Sequence, residues 1–155
     1  MSIYRGSQKI KELRFGGSQK IKEAYVGSRL VYKGGWDASP VDGVMFTETG
    51  AFVSYTNIAR QAITSSWTIA SGKTGSITNI IFGANTTTLT VELNITYTRG
   101  LEFFIDGESV GIYNSQGENA ISIPSKFIND AEHTITINNR SNQNTQAFKS
   151  MSFNI

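Results

Sequence analysis

The sequence of 155 residues contains no cysteine, only one histidine and only two prolines. Without cysteine the chain can form no disulfide, no thiolate metal site and no thiolate nucleophile. The single histidine, His133, cannot form a histidine cluster around a metal, and it leaves little choice of base to activate a serine or threonine. These shortages predict that the protein is not an enzyme and that it uses neither a metal nor a cofactor.

Long apolar segments are also missing. No run approaches the ~20 residues that span a membrane, and the first residues, MSIYRGSQKIKE, lack the apolar segment of a signal peptide. We therefore expect a soluble protein that is made in the cytoplasm without Sec export and does not insert into membranes. Because charged residues make up only 17% of the chain, we expect a folded core rather than disorder.

The few charges are unevenly distributed. Residues 1–35 contain eight basic and two acidic side chains, for a net charge of +6. Residues 36–155 contain six basic and ten acidic side chains, for a net charge of −4. This change predicts two units, a basic arm over 1–35 and a larger domain over 41–155, with the boundary in the glycine-containing segment 34–40.

The basic arm is an internal repeat. The heptapeptide GSQKIKE occurs at 6–12 and again at 17–23, and a degenerate third copy, GSRLVYK, occupies 27–33. A period of 10 or 11 residues matches one strand plus one turn, and the glycines supply the turn positions. The spacing predicts a three-stranded antiparallel meander with strands near 8–15, 19–26 and 29–33.

In its first two copies the repeat places lysines and apolar residues on opposite faces of the predicted strand, because side chains alternate along a strand. The third copy has Leu30 and Tyr32 in place of these lysines and is apolar on both faces. Three strands are too few for an independent core, so the arm requires a partner: the rest of the chain, other copies or a docking surface. We therefore interpret it as an anchoring and oligomerisation arm. The residues expected to make its contacts are Lys9, Ile10, Lys11, Lys20, Ile21, Lys22, Leu30 and Tyr32.

The sequence of the larger domain predicts strands and turns throughout. The segment 88–97 alternates apolar and polar residues without a break, which predicts one strand with one buried face. Asp106-Gly107 separates two strand-like runs and predicts a hairpin. The other predicted strands lie at 44–46, 51–55, 66–69, 77–82, 101–105, 109–113, 119–123, 133–138 and 151–155. No amphipathic helix is evident, so we predict an all-β fold: a short β-meander followed by an antiparallel β-sandwich of the jelly-roll type.

Several side chains are candidates for catalysis or binding. His133 is in phase with Ile135 and Ile137, which favours a partly buried, hydrogen-bonded histidine over a catalytic one. Glu102, Asp106 and Glu108 around the predicted hairpin could form an acid–base pair, but a turn position for Asp106 and solvent-exposed positions for its neighbours explain them better. Nucleic-acid binding through the basic arm is an alternative, weakened by the acidic character of the larger domain. A glycan-active enzyme is the second alternative.

Carbohydrate binding is the remaining class. Lectin-like β-sandwiches bind sugars through aromatic rings and amide side chains in loops, and this sequence is rich in both near its predicted strand ends. The tentative ligand-binding residues are Trp36, Tyr113, Asn114, Asn139 and Asn142.

Two resemblances follow from these residues. The arm, GSQKIKE followed by GSRLVY, resembles short repeats at the N-termini of some bacteriophage virion proteins. The run LEFFIDG at 101–107, followed by EHTITI at 132–137, resembles the end of jelly-roll carbohydrate-binding modules. The first resemblance implies a virion protein, a head fibre, capsid decoration or tail and baseplate component. The second implies a sugar-binding sandwich.

Together these features predict a structural virion protein whose arm binds other capsid or tail proteins. We expect a homo-oligomer, with a trimer as one candidate, and a sandwich that binds host-surface glycans weakly but in many copies.

Overall fold

The computed structural model describes residues 43–129 and 131–154, together with the backbone of short strands between residues 4 and 33. The chain divides into two compact units, Met1–Asp37 and Ala38–Ile155. Within the described residues, no helix has the length and apolar character needed to cross a membrane.

The described residues of the first unit form six short strands that pair in sequence order. The strand pairs form three separate two-stranded antiparallel sheets: β1 with β2, β3 with β4, and β5 with β6. Their bounds are β1 Tyr4–Arg5, β2 Gln8–Lys9, β3 Arg14–Phe15, β4 Gln19–Lys20, β5 Glu23–Val26 and β6 Arg29–Lys33.

The described residues of the repeat therefore lie in β-strands, but their pairing differs in detail from the predicted three-stranded meander. The predicted strand over 8–15 is described as β2 and β3, and the predicted strand over 19–26 as β4 and β5, with each half in a different sheet. The physical reason lies in the short period. Each glycine-containing segment brings together only the residues that flank it, such as Arg14 with Lys20 and Phe15 with Gln19.

The second unit is an antiparallel β-sandwich of two sheets, which confirms the predicted fold class. One sheet has the order β15-β12-β17-β10-β9, with β7 also paired to β17, and the other has the order β14-β13-β16-β11-β8. Most connections cross from one sheet to the other, as in jelly-roll sandwiches. The strands are β7 Val44–Phe46, β8 Ser54–Thr56, β9 Ala59–Gln61, β10 Ser66–Ile69, β11 Thr74–Ile80, β12 Thr88–Leu93, β13 Leu101–Ile105, β14 Glu108–Tyr113, β15 Gly117–Ser122, β16 His133–Asn139 and β17 Gln146–Phe153.

The core forms between the sheets from the alternate residues that the sequence pattern places inward. On β16 the residues Ile135 and Ile137 are fully buried, and on β13 Leu101, Phe103 and Ile105 are fully buried as well. Because one face of each strand is apolar and the other polar, a slip of one residue would expose this whole set, and the register is therefore strongly specified.

The long alternating segment 88–97 is not one strand, contrary to the prediction. Strand β12 ends at Leu93, where a bulge between Glu92 and Leu93 shifts its register with β17. Beyond the bulge the backbone pairs elsewhere, since the Tyr97 N–H donates to the Asn114 carbonyl at 2.8 Å. Ile95, in phase with the buried residues, is instead 55% exposed in the resulting loop.

Two smaller features were also missed by the sequence pattern. Strand β9 has no buried residue, so it carries no apolar signal. Residues Ser125–Phe127 form a 3₁₀ turn that follows Pro124 and buries Phe127. The predicted strands 44–46, 66–69 and 101–105 agree in both bounds with β7, β10 and β13.

Candidate functional site

Loops from both sheets meet at one end of the sandwich and are joined by backbone hydrogen bonds. The central loop, 140–145, connects β16 to β17. On one side the Gly72 N–H donates to the Ser141 carbonyl at 2.7 Å, and on the other the Arg140 N–H donates to the Gly100 carbonyl at 3.4 Å. The loops 70–73 and 94–100 therefore flank the central loop, and we refer to the three together as the loop end.

Asn139 holds the central loop in place. Its side chain is buried, and its amide nitrogen donates to the carbonyls of Ile69 at 2.8 Å and Asn144 at 2.9 Å. Its amide oxygen accepts the Ser141 N–H at 2.9 Å. Because these groups lie at the end of β10 and in the central loop, the Asn139 amide supplies them with hydrogen-bond partners and fixes the loop's conformation.

Tyr97 fixes the loop 94–100 in a similar way. Its hydroxyl donates to the Ala147 carbonyl at 3.0 Å and accepts the Ala147 N–H at 2.7 Å. Burial raises the pKa of Tyr97 above its ordinary value of 10.0, and the Ala147 hydrogen bond offsets only part of this effect. The phenol therefore remains neutral at physiological pH and anchors the loop to the first residues of β17.

Two adjoining clefts open at the loop end. One, of about 520 Å³, lies between the loop 94–100 and the central loop. The other, of about 560 Å³, lies between β9 and the loop 70–73. Thr145 lines both, so the two clefts are neighbours. The first is lined by Ile95, Thr96, Tyr97, Thr98, Arg99, Ser141, Asn142, Gln143, Asn144, Thr145 and Gln146.

The lining combines amides, hydroxyls and an exposed apolar side chain. Asn142, Gln143 and Asn144 are exposed, so their amides can both donate and accept hydrogen bonds. Ile95 adds apolar surface in the same cleft. Gln146 is 2% exposed, and its Oε1 has no hydrogen-bond donor among the described residues. Such a surface matches a ligand that presents hydroxyl groups beside C–H faces.

The residues predicted to bind sugar occupy different environments. Asn142 is exposed in the first cleft. Asn114 is exposed in the next loop, where its carbonyl accepts the Tyr97 N–H. Tyr113 packs against the core, with its ring 5.9 Å from that of Phe103, and Asn139 is 1% exposed. Trp36 lies outside the described residues.

The fold thus brings Asn114, Asn139 and Asn142 to the same end of the sandwich. Sequence reasoning did not single out Ile95 and Gln146 as residues of this end. Strand β12 ends at Leu93, so Ile95 and Tyr97 lie in the following loop although the alternating pattern continues through them. The role of the tentative sugar-binding residues stays a prediction.

The residues of the anchoring arm are described only as backbone. Lys9, Lys20, Leu30 and Tyr32 lie in β2, β4 and β6, and their contacts stay a prediction. Ile10, Lys11, Ile21 and Lys22 lie outside the described residues.

The carboxylates near the predicted hairpin do not form a pair. Glu102 faces Arg140, with 3.7 Å between its Oε2 and the arginine Nε. Glu108 forms an ion pair with Lys126, and Asp106 binds His133. Each acid therefore has its own basic partner. In the described part of the chain, no group of three or more histidine and acidic side chains is arranged to hold a metal.

His133 is buried, as predicted from its phase, and both ring nitrogens have oxygen neighbours. Its Nδ1 lies 2.7 Å from Asp106 Oδ2, and its Nε2 lies 3.1 Å from Asn129 Oδ1. The ring also stacks on Phe82 at a centroid distance of 5.7 Å. His133 is therefore part of the core. It begins β16, so it lies at the opposite end of the sandwich from the loop end.

Comparisons with known proteins give few matches. No protein-family model matches the chain, and no curated protein matches it significantly. An exo-β-1,3-galactanase of Phanerochaete chrysosporium, crystallised with galactose, is 13% identical over 64% of this chain and 26% of its own chain, with a TM-score of 0.47. A CBM35 from Paenibacillus barcinonensis is 14% identical over 66% of this chain and 91% of its own, with a TM-score of 0.45.

The chain thus spans about a quarter of the length of the galactanase and most of the CBM35 structure. At these identities and TM-scores the likeness carries no argument about function. The β-sandwich described above rests on this chain's own strand pairing.

Proposed function

We propose that the protein is a structural component of a bacteriophage virion, anchored to other capsid or tail proteins by its basic arm, whose β-sandwich binds host-surface glycans. The observation that carries the glycan-binding role is the cleft between the loop 94–100 and the central loop. Exposed amides, hydroxyls and an apolar side chain are concentrated there, and sugars present a matching mixture of hydroxyl groups and C–H faces.

The division of the chain supports the separate roles of its two units. The unit Met1–Asp37 carries the repeat and forms small two-stranded sheets, each too small for a core of its own. The unit Ala38–Ile155 contains the buried core. An arm of this kind gains stability by pairing with a larger assembly, and its resemblance to phage repeats favours a virion as that assembly.

Low affinity in each site is compatible with attachment. An open cleft at the end of a sandwich buries little ligand surface, so single sites bind weakly. Many copies on one particle convert weak sites into durable attachment, because a second binding event occurs at a high effective concentration.

Particle association tests the anchoring role. Phage particles assembled with a tagged copy of the full chain should retain it through density-gradient purification, and electron microscopy should place it at a defined position. The variant with Lys9, Lys11, Lys20 and Lys22 replaced by glutamate should associate less, because its arm would repel an acidic docking surface. Lys126→Gln, in the sandwich, is the matched control. A tagged wild-type chain that is absent from purified particles would contradict the anchoring role.

Deletion of residues 1–33 complements this test. We expect a folded β-sandwich that no longer joins the particle, with folding measured by cooperative thermal unfolding. If the shortened chain does not fold, the arm belongs to the core and is not an independent anchor.

A further inference from the structure

We propose that the loop end binds an anionic glycan, one that carries carboxylate or phosphodiester groups, through direct contacts with Lys73 and Arg99. This inference rests on the proposed glycan-binding function and names its ligand class. It begins from the distribution of charge over the sandwich, which is acidic as a whole.

The six basic side chains of residues 36–155 have different surroundings. Three form ion pairs with glutamates: Lys126 with Glu108, Arg140 with Glu102, and Lys149 with both Glu48 and Glu92. Arg60 donates to the Glu48 carbonyl at 3.4 Å. Lys73 and Arg99 have no ion pair or side-chain hydrogen bond with any described residue, and both are exposed.

These two unpaired cations line the two neighbouring clefts. Arg99 lines the cleft beside the central loop, and Lys73 lines the cleft beside β9. Thr145 lines both clefts, so it lies where the two clefts adjoin. No aspartate or glutamate lines either cleft. The two clefts therefore combine cations with exposed amides and contain no carboxylate, because the Glu102 carboxylate at this end faces Arg140 instead.

The backbone fixes the loops that carry both cations. The Asn139 N–H donates to the Lys73 carbonyl at 3.0 Å, and the Gly100 carbonyl, next to Arg99, accepts the Arg140 N–H at 3.4 Å. Both loops are thereby joined to the central loop. The guanidinium of Arg99 can bind a carboxylate or phosphate with two hydrogen bonds, and the ammonium of Lys73 can bind as a point charge.

This arrangement favours a polymer over a single anion. A chain of sugars that crosses Thr145 would meet Arg99 in one cleft and Lys73 in the other. Amides such as that of Asn142 would bind the hydroxyl groups between its charged groups. Carboxylate and phosphodiester groups share the chemistry that the two cations recognise, so polymers of both kinds belong in the test.

The test uses the full chain with Lys9, Lys11, Lys20 and Lys22 replaced by glutamate, so that the basic arm cannot bind polyanions. Isothermal titration calorimetry would compare polygalacturonate, a glycerol phosphate polymer and neutral dextran. We expect binding to one or both anionic polymers. The affinity should fall several-fold between about 0.1 and about 0.5 M salt, because salt screens the attraction between exposed charges.

Substitutions then locate the site. Adding Lys73→Gln and Arg99→Gln should weaken binding about tenfold or more, because two charge-assisted contacts are lost. Adding Lys126→Gln, at the opposite end, should leave affinity unchanged. The variant with Lys73→Gln and Arg99→Gln and the variant with Lys126→Gln change only exposed side chains. Thermal unfolding would check that each variant is folded.

Four results would overturn the inference. If neutral dextran binds as well as the polyanions, glycan binding stands but the anionic class fails. If polyanion binding disappears in the charge-reversed arm variant, the arm is the polyanion site. If Lys73→Gln with Arg99→Gln leaves affinity unchanged, the two cations take no part. If none of the three polymers binds, the anionic ligand class fails, and the wider glycan-binding function is then judged by screening other glycans.

Discussion

Asp106 binds His133 with one carboxylate oxygen and the backbone of Thr134 with the other. The His133 Nδ1 lies 2.7 Å from Asp106 Oδ2, and the Thr134 N–H donates to Asp106 Oδ1 at 2.8 Å. Asp106 also adopts a positive φ of 48°, a conformation that Asp and Asn tolerate better than most residues. One side chain therefore joins the β13–β14 turn to β16.

This relationship predicts an acid-dependent loss of stability. Partial burial raises the pKa of Asp106, but the His133 hydrogen bond and charge and the Thr134 N–H lower it by more, so the pKa lies below its ordinary value of 3.8. Because the folded-state pKa is depressed, the stabilisation is present above about pH 4 and is lost as pH falls through the lowered pKa.

Asp106→Asn tests this point, since asparagine keeps the positive φ but removes the charge. We expect the free energy of unfolding to fall by about 1 kcal/mol at pH 6, a small value because the carboxyl is 42% exposed. The difference from wild type should shrink below pH 4 in urea titrations. A difference that stays constant from pH 6 to pH 2.5 would contradict the role of the charge.

A second prediction separates structural from ligand-binding asparagines. Asn139→Ala should lower the free energy of unfolding by about 3 kcal/mol, because the buried carbonyl of Ile69 and the partly buried carbonyl of Asn144 lose their donor. Asn142→Ala, at an exposed position, should change stability by less than about 0.5 kcal/mol. Chemical denaturation measures both. Equal stability of the two variants would show that Asn139 does not hold the central loop.

The third prediction concerns Tyr97. Tyr97→Phe removes both hydrogen bonds to Ala147 and should cost about 1–2 kcal/mol at pH 7. Because the folded-state pKa of Tyr97 is raised, the stabilisation from the neutral phenol is present below pH 10 and is lost as pH rises through the raised pKa. Tyr55→Phe is the control, since no hydrogen bond of the Tyr55 hydroxyl is described. A similar loss in both variants would argue against the anchoring role of Tyr97.

A fourth prediction uses two glycines with similar backbone angles. Gly100 has φ +71° and Gly72 has φ +65°. A Cβ at Gly100 would lie 2.6 Å from the Tyr113 carbonyl oxygen, whereas one at Gly72 would meet nothing within 4 Å. Gly72→Ala should therefore cost about 1–2 kcal/mol from backbone strain alone. Gly100→Ala should cost clearly more, as measured by thermal and urea unfolding, and an equal cost would contradict the close packing of the loops.

The sequence predicts strands well where buried and exposed residues alternate, and poorly where they do not. Inward residues such as Ile135 and Ile137 mark β16 because each faces the core. The exposed β9 carries no such signal, and β12 ends at Leu93 although its alternating pattern continues to Tyr97. Register shifts depend on pairing with a distant strand, which a local pattern does not contain.

The candidate site was predictable in composition but not in geometry. The amide-rich segment 139–144 indicates a polar loop, and the structure places Asn142 in a cleft while it buries Asn139. Which asparagine faces solvent depends on the carbonyls of Ile69 and Ala70, about 70 residues earlier in the chain. The arrangement of Lys73 and Arg99 around Thr145 likewise depends on loops that meet only in the folded sandwich.

Binding to a glycan array is the most direct test of glycan binding at the loop end. The full chain, displayed on a multivalent carrier, would be compared with Ile95→Ser combined with Asn142→Ala, and with the control Ile112→Ser, an exposed residue of β14 outside both clefts. The account predicts that wild type and control bind the same subset of glycans and that the double variant loses this binding. Absence of binding to any glycan, or equal binding by the double variant, would contradict it.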